Sequence, residues 1–207
     1  MKGLSDPELV RAALAGSQEA FRELVVRFER PVFGLVVRMV GDPETAEDLA
    51  QEVFVKAYRA LASYDPSRKL SSWLFKIAHN ATIDHLRRSA LETVPLASDE
   101  EEGGNLLATL ADAGTESPAA AAERRAMARA LERAIRGLRP DYREAVVLRY
   151  VEGLSYEEIA EALEQPLGTV KTNLHRARKQ MATALAAAGW GREPAGAAAE
   201  TGGASTS

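Results

Sequence analysis

Residues 154–181, LSYEEIAEALEQPLGTVKTNLHRARKQM, divide sharply by charge. The first half carries Glu157, Glu158, Glu161 and Glu164 and no base, the second Lys171, Arg176, Arg178 and Lys179 and no acid. Rows of Lys and Arg at helical spacing break no bonds, but they neutralise phosphates and donate to base edges. A second basic stretch, 68–88, sets Arg68, Lys69, Lys76, Arg87 and Arg88 against Asp84 alone. Within it Asn80 can both donate to and accept from a base edge, and Ser71 and Ser72 can bond phosphates or start a helix. Acids gather elsewhere: residues 42–52 hold five acids and residues 92–116 hold seven, neither with a base. The formal net charge of −4 averages over this alternation, and local potential decides where a polyanion docks. Catalytic chemistry finds little material. There is no cysteine, and the three histidines are His79, His85 and His175. A metal-dependent hydrolase built on Glu44, Glu47, Asp48 and Glu52 stands as one rival reading; it requires tight divalent-metal binding and lacks a histidine partner.

These residues need helices to position them, and strand signals are scarce. A short helix is expected after Ser5, with Pro7 in its first turn. Another is expected over about 17–28, and Pro31 is expected to start the next, ending at Val40. After the breaker GDP at 41–43, Asp42 caps a helix of about 44–62 with Ala46, Leu49, Val53, Ala57 and Leu61 inward. On the same helix 48, 52, 55 and 59 share an outward stripe. A helix of about 71–88 follows, with Trp73, Leu74, Ile77, Ala81 and Leu86 mostly inward, so Trp73 is read as core rather than wedge. Arg87 and Arg88 at its end can also complement the helix dipole.

Residues 89–118 hold SDEEEGG and DAGTESP with few large apolar side chains, which reads as a flexible acidic linker. Helices are expected again at about 119–136, 140–151, 156–163 and 168–187, then a low-complexity, disordered tail. Ser155 and Glu158 form a capping box, and Glu157 and Glu158 sit where the dipole favours acids. Pro166 breaks the chain before a second helix with Val170, Leu174, Ala177, Met181 and Leu185 inward. Lys171, His175 and Arg178 share one outward stripe, and Thr172, Arg176 and Lys179 a neighbouring one. A short capped helix, a tight turn and a base-studded helix make a helix-turn-helix whose second helix enters the major groove. The bland alternative is a solvated helix pair whose surface favours Lys and Arg.

LRPDYREAVVLRYVEGLSYEEIAEALEQPLGTVKTNLHRAR, residues 138–178, resembles region 4 of bacterial RNA polymerase sigma factors, specifically the extracytoplasmic-function (ECF) group. DPETAEDLAQEVFVKAYRAL (42–61) followed by SSWLFKIAHNATIDHLRRS (71–89) resembles region 2 of the same family. The likeness implies an all-α fold of two small helical domains joined by a flexible acidic linker, the C-terminal one a helix-turn-helix. The parts would be residues 1–89, the linker 90–121, residues 122–188 and a tail 189–207. It implies a non-enzymatic factor without cofactor or metal that binds core polymerase, finds a promoter through −35 and −10 elements and nucleates melting. Asp48, Leu49, Gln51, Glu52 and Val55 would meet the clamp helices of the β′ subunit. Lys69, Ser71, Ser72, Trp73, Lys76, Asn80, Arg87 and Arg88 would handle the −10 single strand. Arg149, Ser155, Thr169, Lys171, Thr172, Asn173, His175, Arg176, Arg178 and Lys179 would handle the −35 duplex. The polymerase β flap and an anti-sigma factor are further implied partners. The chain departs from the family pattern at Glu164, where the turn usually has Gly, at Asn173, where a base is usual, and at Leu70, where an aromatic is common.

The family also threads its linker through polymerase channels, so SDEEEGG is expected to act there as a nucleic-acid mimic displaced by RNA. MKGLSDPELV has no signal-peptide core, and the longest apolar run, VFGLVV, is too short to cross a bilayer. The expected place of action is the cytoplasm. A plain repressor or activator using 138–185 alone remains the second rival; it would bind duplex DNA stably without polymerase.

Overall fold

A computed structural model describes residues 3–92 and 117–190 of the chain. The expected linker acids of 93–116 and the tail beyond 190 lie outside the described residues. No strand occurs among the described residues. The first half is built of α1 (Asp6–Leu14), α2 (Gln18–Val40), α3 (Pro43–Ala60), a 3-10 turn at Leu61–Ser63 and α4 (Leu70–Glu92). The second is built of α5 (Pro118–Arg136), α6 (Pro140–Val146), a π-helical turn over Val147–Val151, α7 (Tyr156–Ala162) and α8 (Leu167–Ala187).

One element differs from expectation. Pro31 does not open a new helix; it lies inside the continuous α2. An interior proline costs about 3 kcal/mol by removing a donor and crowding the preceding turn. On either side of it, however, Leu24, Phe28, Val32, Leu35 and Met39 form one buried stripe. Each such side chain contributes about 1.5–3 kcal/mol on burial, so tertiary packing overrides the local breaker. The helix ends instead at Gly41, whose φ of 84° is left-handed and whose N–H returns to the Val37 carbonyl at 2.9 Å. Asp42 then starts α3 as expected, its carboxylate accepting from the Thr45 N–H at 2.7 Å.

In the first half α2 packs against α1, α3 and α4, and in the second α8 packs against α5, α6 and α7. Leu148, Ile159, Val170 and Leu174 are fully buried and seat the α7–α8 pair on α6. Replacing Leu174 by Ala should therefore cost about 2–5 kcal/mol, visible as a lower urea midpoint of unfolding with the slope unchanged.

The halves also pack on each other, α4 against α7 and α2 against α6, so that one apolar cluster runs through both. Buried polar contacts lock this seam. Arg38 donates to both carboxylate oxygens of Glu132, at 3.0 and 3.1 Å. Arg143 donates to the carbonyl of Arg38 at 2.7 Å, and the His79 Nδ1 lies 2.8 Å from Glu144. Charged groups so buried need such partners, because a lone charge in the interior costs several kcal/mol.

Candidate nucleic-acid interface

The α7–α8 pair has the predicted local chemistry. The Ser155 N–H donates to Glu158 at 2.7 Å, and the Glu158 N–H donates to the Ser155 hydroxyl at 3.1 Å. Ser155 is thereby engaged in capping α7 rather than free for a −35 contact. Ser155→Ala should cost about 1 kcal/mol, measurable by chemical denaturation, since it orphans one of the first N–H groups. The turn that follows carries Glu164 at φ 52°, the one non-glycine with positive φ among the described residues. That is the position where the resembling family uses Gly, for the reason the angle shows: without a Cβ, left-handed backbone is free of strain.

On α8 the core face is Val170, Leu174 and Ala177, with Met181 and Leu185 partly covered. Thr169, Lys171, Thr172, His175, Arg176, Arg178 and Lys179 are exposed along the rest of the helix. Asn173 is not with them. It is only 8% exposed, because its position in the helical turn places it beside Leu174 and Val170 on the packed side, so it cannot reach DNA in this arrangement. Thr172 uses its hydroxyl to donate to the Gly168 carbonyl at 2.9 Å. Arg149 is also spoken for: it donates to the Leu154 carbonyl at 2.7 Å and lies over the Tyr156 ring, 5.1 Å from its centre. It props the approach to α7. Arg176 approaches the Tyr142 hydroxyl at 3.5 Å and, with Lys179, Arg139 and Arg133, edges a groove between α5 and α8.

The α4 candidates fall into two groups. Lys69, Lys76 and Asn80 lie toward its start, and Arg87 and Arg88 lie exposed at its far end. With about 1.5 Å of rise per residue these groups are more than 10 Å apart, so they cannot grip the same few nucleotides. Arg88 instead lines a groove with Asp48, Glu52 and His85 on the α3 side. Ser72 is 1% exposed and faces the core, its hydroxyl without a hydrogen-bond partner in the structure. It is a packing residue, not a phosphate ligand. Ser71 stays partly accessible. Trp73 packs against the core with its ring 5.5 Å from that of Tyr64, consistent with the core reading. Leu70, where the family often has an aromatic, is buried.

Along α3, Asp48, Gln51 and Val55 are exposed. Glu52 is half-buried and bonded to Lys56 at 2.7 Å. That bond, with Arg88 and His85 nearby, holds its carboxyl below the usual range. Leu49 is 4% exposed and belongs to the core, because it lies in phase with Ala46 and Val53; it cannot present itself to a partner. Sequence reasoning missed the apolar neighbours of this stripe: Tyr58 is exposed, and Val25, Phe33 and Phe54 line a groove with Gln51 between α2 and α3.

The acids of α7 have more than cap chemistry to do. Glu158 pairs with Lys69 at 2.8 Å, Glu161 with Arg68, and Glu164 with Lys76 at 2.9 Å. Burial raises the Glu158 pKa, but the bonds from Lys69 and Ser155 outweigh it and leave the carboxyl below its ordinary value. Glu164 is lowered chiefly by its bond to Lys76, with Asn80 adding a hydrogen bond. These contacts were not expected from sequence: three acids recur at i, i+3 and i+6, but nothing in the residue order joins them to the base-rich segment 68–88.

Comparisons with known proteins follow the same lines. Residues 24–92 match the model of sigma-70 region 2, and residues 128–181 that of sigma-70 region 4. The chain is 37% identical over 185 residues to the RNA polymerase sigma-H factor of Pseudomonas aeruginosa, covering 87% of this chain and 93% of that one. It is 34% identical to the ECF RNA polymerase sigma factor SigW of Bacillus subtilis, covering 83% of this chain and 92% of that one. Among solved structures it is similar to CnrH in complex with the cytosolic domain of CnrY, with a TM-score of 0.60, 28% identity and coverage of 88% and 97%. In fold it also matches the sigma factor RpoE of Bartonella quintana in complex with the anti-sigma factor NepR, with a TM-score of 0.63, 23% identity and coverage of 80% and 96%.

Proposed function

The chain belongs to the ECF group of the sigma-70 family of bacterial RNA polymerase sigma factors, and from that premise we propose how its surfaces divide the work of starting transcription. It is a promoter-specific initiation factor and not an enzyme. Its partners are core RNA polymerase and promoter DNA, and it acts where polymerase acts; none of the described helices is long and apolar enough to cross a membrane.

The exposed row of α8 is the −35 reader, with Thr169, Lys171, His175, Arg176, Arg178 and Lys179 turned to the duplex. Supporting this is the way α7, capped at Ser155, and the Glu164 turn present α8 with its apolar face down and its bases out. The −10 strand is held by Lys69, Ser71, Lys76 and Asn80 on the first half of α4, where cations track phosphates and an amide reads a base. The stripe Asp48, Gln51, Glu52 and Val55 meets the β′ clamp helices, its acids complementing a basic surface and its apolar neighbours Phe54 and Tyr58 adding area. The α5 side of the groove between α5 and α8, edged by Arg133 and Arg139, is the site for the polymerase flap. A solved structure similar to this chain in fold is a complex with an anti-sigma factor, and an anti-sigma factor is the expected inhibitor here as well.

The observation that carries this division is the exposed basic row on α8. Run-off transcription with core polymerase and this chain tests it. Start-site selection absent from core alone is the expected outcome. Equal and stable binding of the duplex without polymerase, with no start-site selection, would favour the plain repressor instead. For the −10 surface, Lys76→Ala with Asn80→Ala should leave core binding intact and lower the rate of open-complex formation roughly tenfold or more, read by permanganate footprinting.

A further inference from the structure

Thr172 stands exposed near the start of α8, with Gly168 one turn before it and Arg176 one turn after. The basic row assigned to the −35 duplex leaves it without a task. Its hydroxyl is turned back into the helix, donating to the Gly168 carbonyl at 2.9 Å. A threonine side chain ends in two groups, and with the hydroxyl so engaged the methyl is the one left to meet a partner. We propose that Thr172 reads a thymine of the −35 element, its methyl set against the C5 methyl of the base in the major groove. Gly168 keeps open the surface across which that base approaches. The inference deepens the −35 reading of α8 and rests on it.

Gly168 supplies the second observation. It lies inside α8 and its φ is not left-handed, so the backbone does not call for glycine there. Packing does not call for it either: beyond its own turn of helix, a Cβ at this position meets no atom within 4 Å. Alanine would fit and would hold the helix better, because glycine loses more freedom on folding. A glycine required by neither backbone nor core suits the close approach of something from outside. Residues four apart share a helix face, so the open spot at Gly168 adjoins the Thr172 methyl. Both lie near the N-terminus of the second helix of a helix-turn-helix, the part that reaches base edges. In the major groove the C5 methyl marks thymine, and a threonine methyl is one of the few side-chain groups that reads it. The charged groups of the same helix have other targets, donating to guanine edges and to phosphates. The Thr172 oxygen keeps a lone pair that an adenine or cytosine amino group could use, so the methyl and the hydroxyl have to be tested apart.

The test uses holoenzyme made with the full chain and a promoter duplex whose start site is mapped in the run-off assay. Each thymine of the −35 element, on either strand, is replaced in turn by deoxyuridine, which deletes the C5 methyl and keeps every hydrogen-bonding group. With the natural chain one such replacement should weaken holoenzyme binding about fourfold, the worth of one methyl returned to water. Thr172→Ser keeps the hydroxyl and removes the methyl, so its holoenzyme should bind the thymine and deoxyuridine duplexes alike. Thr172→Val puts a methyl back without the hydroxyl, and the fourfold difference should return. Gly168→Ala should weaken binding of the thymine duplex about fivefold or more, because an extra methyl in a filled contact displaces its neighbours. The urea midpoint of unfolding of that variant should stay level or rise, a combination that a merely structural glycine does not give. The proposal is overturned if no thymine of the −35 element is sensitive to loss of its methyl, or if the sensitivity survives in Thr172→Ser. Discrimination kept by Thr172→Ser and lost in Thr172→Val assigns the contact to the hydroxyl and overturns it as well. Full affinity of Gly168→Ala removes the close approach at Gly168. Failure of the −35 reading looks different: Arg176→Ala with Arg178→Ala would then leave promoter use unchanged. Promoter use that falls in that variant, with no methyl effect at any thymine, sinks the Thr172 contact alone.

Discussion

Replacing Asp48 and Glu52 together by Lys is expected to weaken binding to core RNA polymerase by about 100-fold or more while the chain stays folded. Both side chains reach solvent on α3, and neither contributes to the core beneath them, which is Ala46, Leu49, Val53 and Ala57. Close charge pairs across an interface have coupling energies of about 1.5 kcal/mol upward, and like charges at the same places repel. Two reversals at the low end of that range already give about 3 kcal/mol, which is about 100-fold in affinity. The reversal at Glu52 is the harsher one, because Lys56 loses its partner at 2.7 Å and Arg88 lies on the same groove. Fluorescence anisotropy of labelled chain titrated with core polymerase measures the loss. Affinity unchanged in the double variant would remove the α3 stripe from the polymerase interface.

The second large effect falls on α8. With Arg176→Ala and Arg178→Ala, use of a −35-dependent promoter should drop by about 100-fold, since each well-placed Arg contact is worth about 1–3 kcal/mol. The slope of log binding against log salt should also fall by about two, one unit for each phosphate that is no longer neutralised. Both residues are exposed, and Ala is the best helix former, so α8 itself should persist. Run-off yield and holoenzyme binding over a potassium chloride series read both numbers. Full promoter use with an unchanged salt slope would move the −35 surface elsewhere, with the Lys171 and His175 row the next to examine.

Acid should act on the caps and the rim together. Asp42 is lowered by its bonds to Thr45, and Glu158 and Glu164 are held below their ordinary values as well. Groups with depressed folded-state values contribute stability that is present above the usual carboxylate range, about pH 4, and is lost as pH falls through those lower values. Unfolding midpoints should therefore be insensitive to these groups between about pH 6 and 8 and fall below about pH 4.

Local rules read much of this molecule from its residues. The capping box at Ser155, the Asp42 cap, the inward face of α3 and the apolar face of α8 all follow from spacing and side-chain type, because a helix fixes which residues share a side. The same rules failed where a residue of suitable chemistry lay near the boundary of a face. Ser72 and Asn173 each have the right type or neighbourhood for a contact, yet each falls on the packed side, whereas Leu49, which the resemblance put at the polymerase surface, lies inward as its spacing predicts. A rotation of a few tens of degrees decides such cases, and the neighbouring helices set that rotation. Pro31 failed differently, since its local penalty was real but smaller than the burial on either side of it.

By itself, then, the sequence determined the family, the helical class, every helix start but the one expected at Pro31, and the separation of acids from bases along the chain, all of which depend on neighbours a few positions apart. Only the tertiary structure decided which bases are free. Arg68 and Glu161 are 93 positions apart, and no periodicity links them. Their meeting follows from how α4 packs against α7, a fit of buried surfaces in which the bases of one half find the acids of the other.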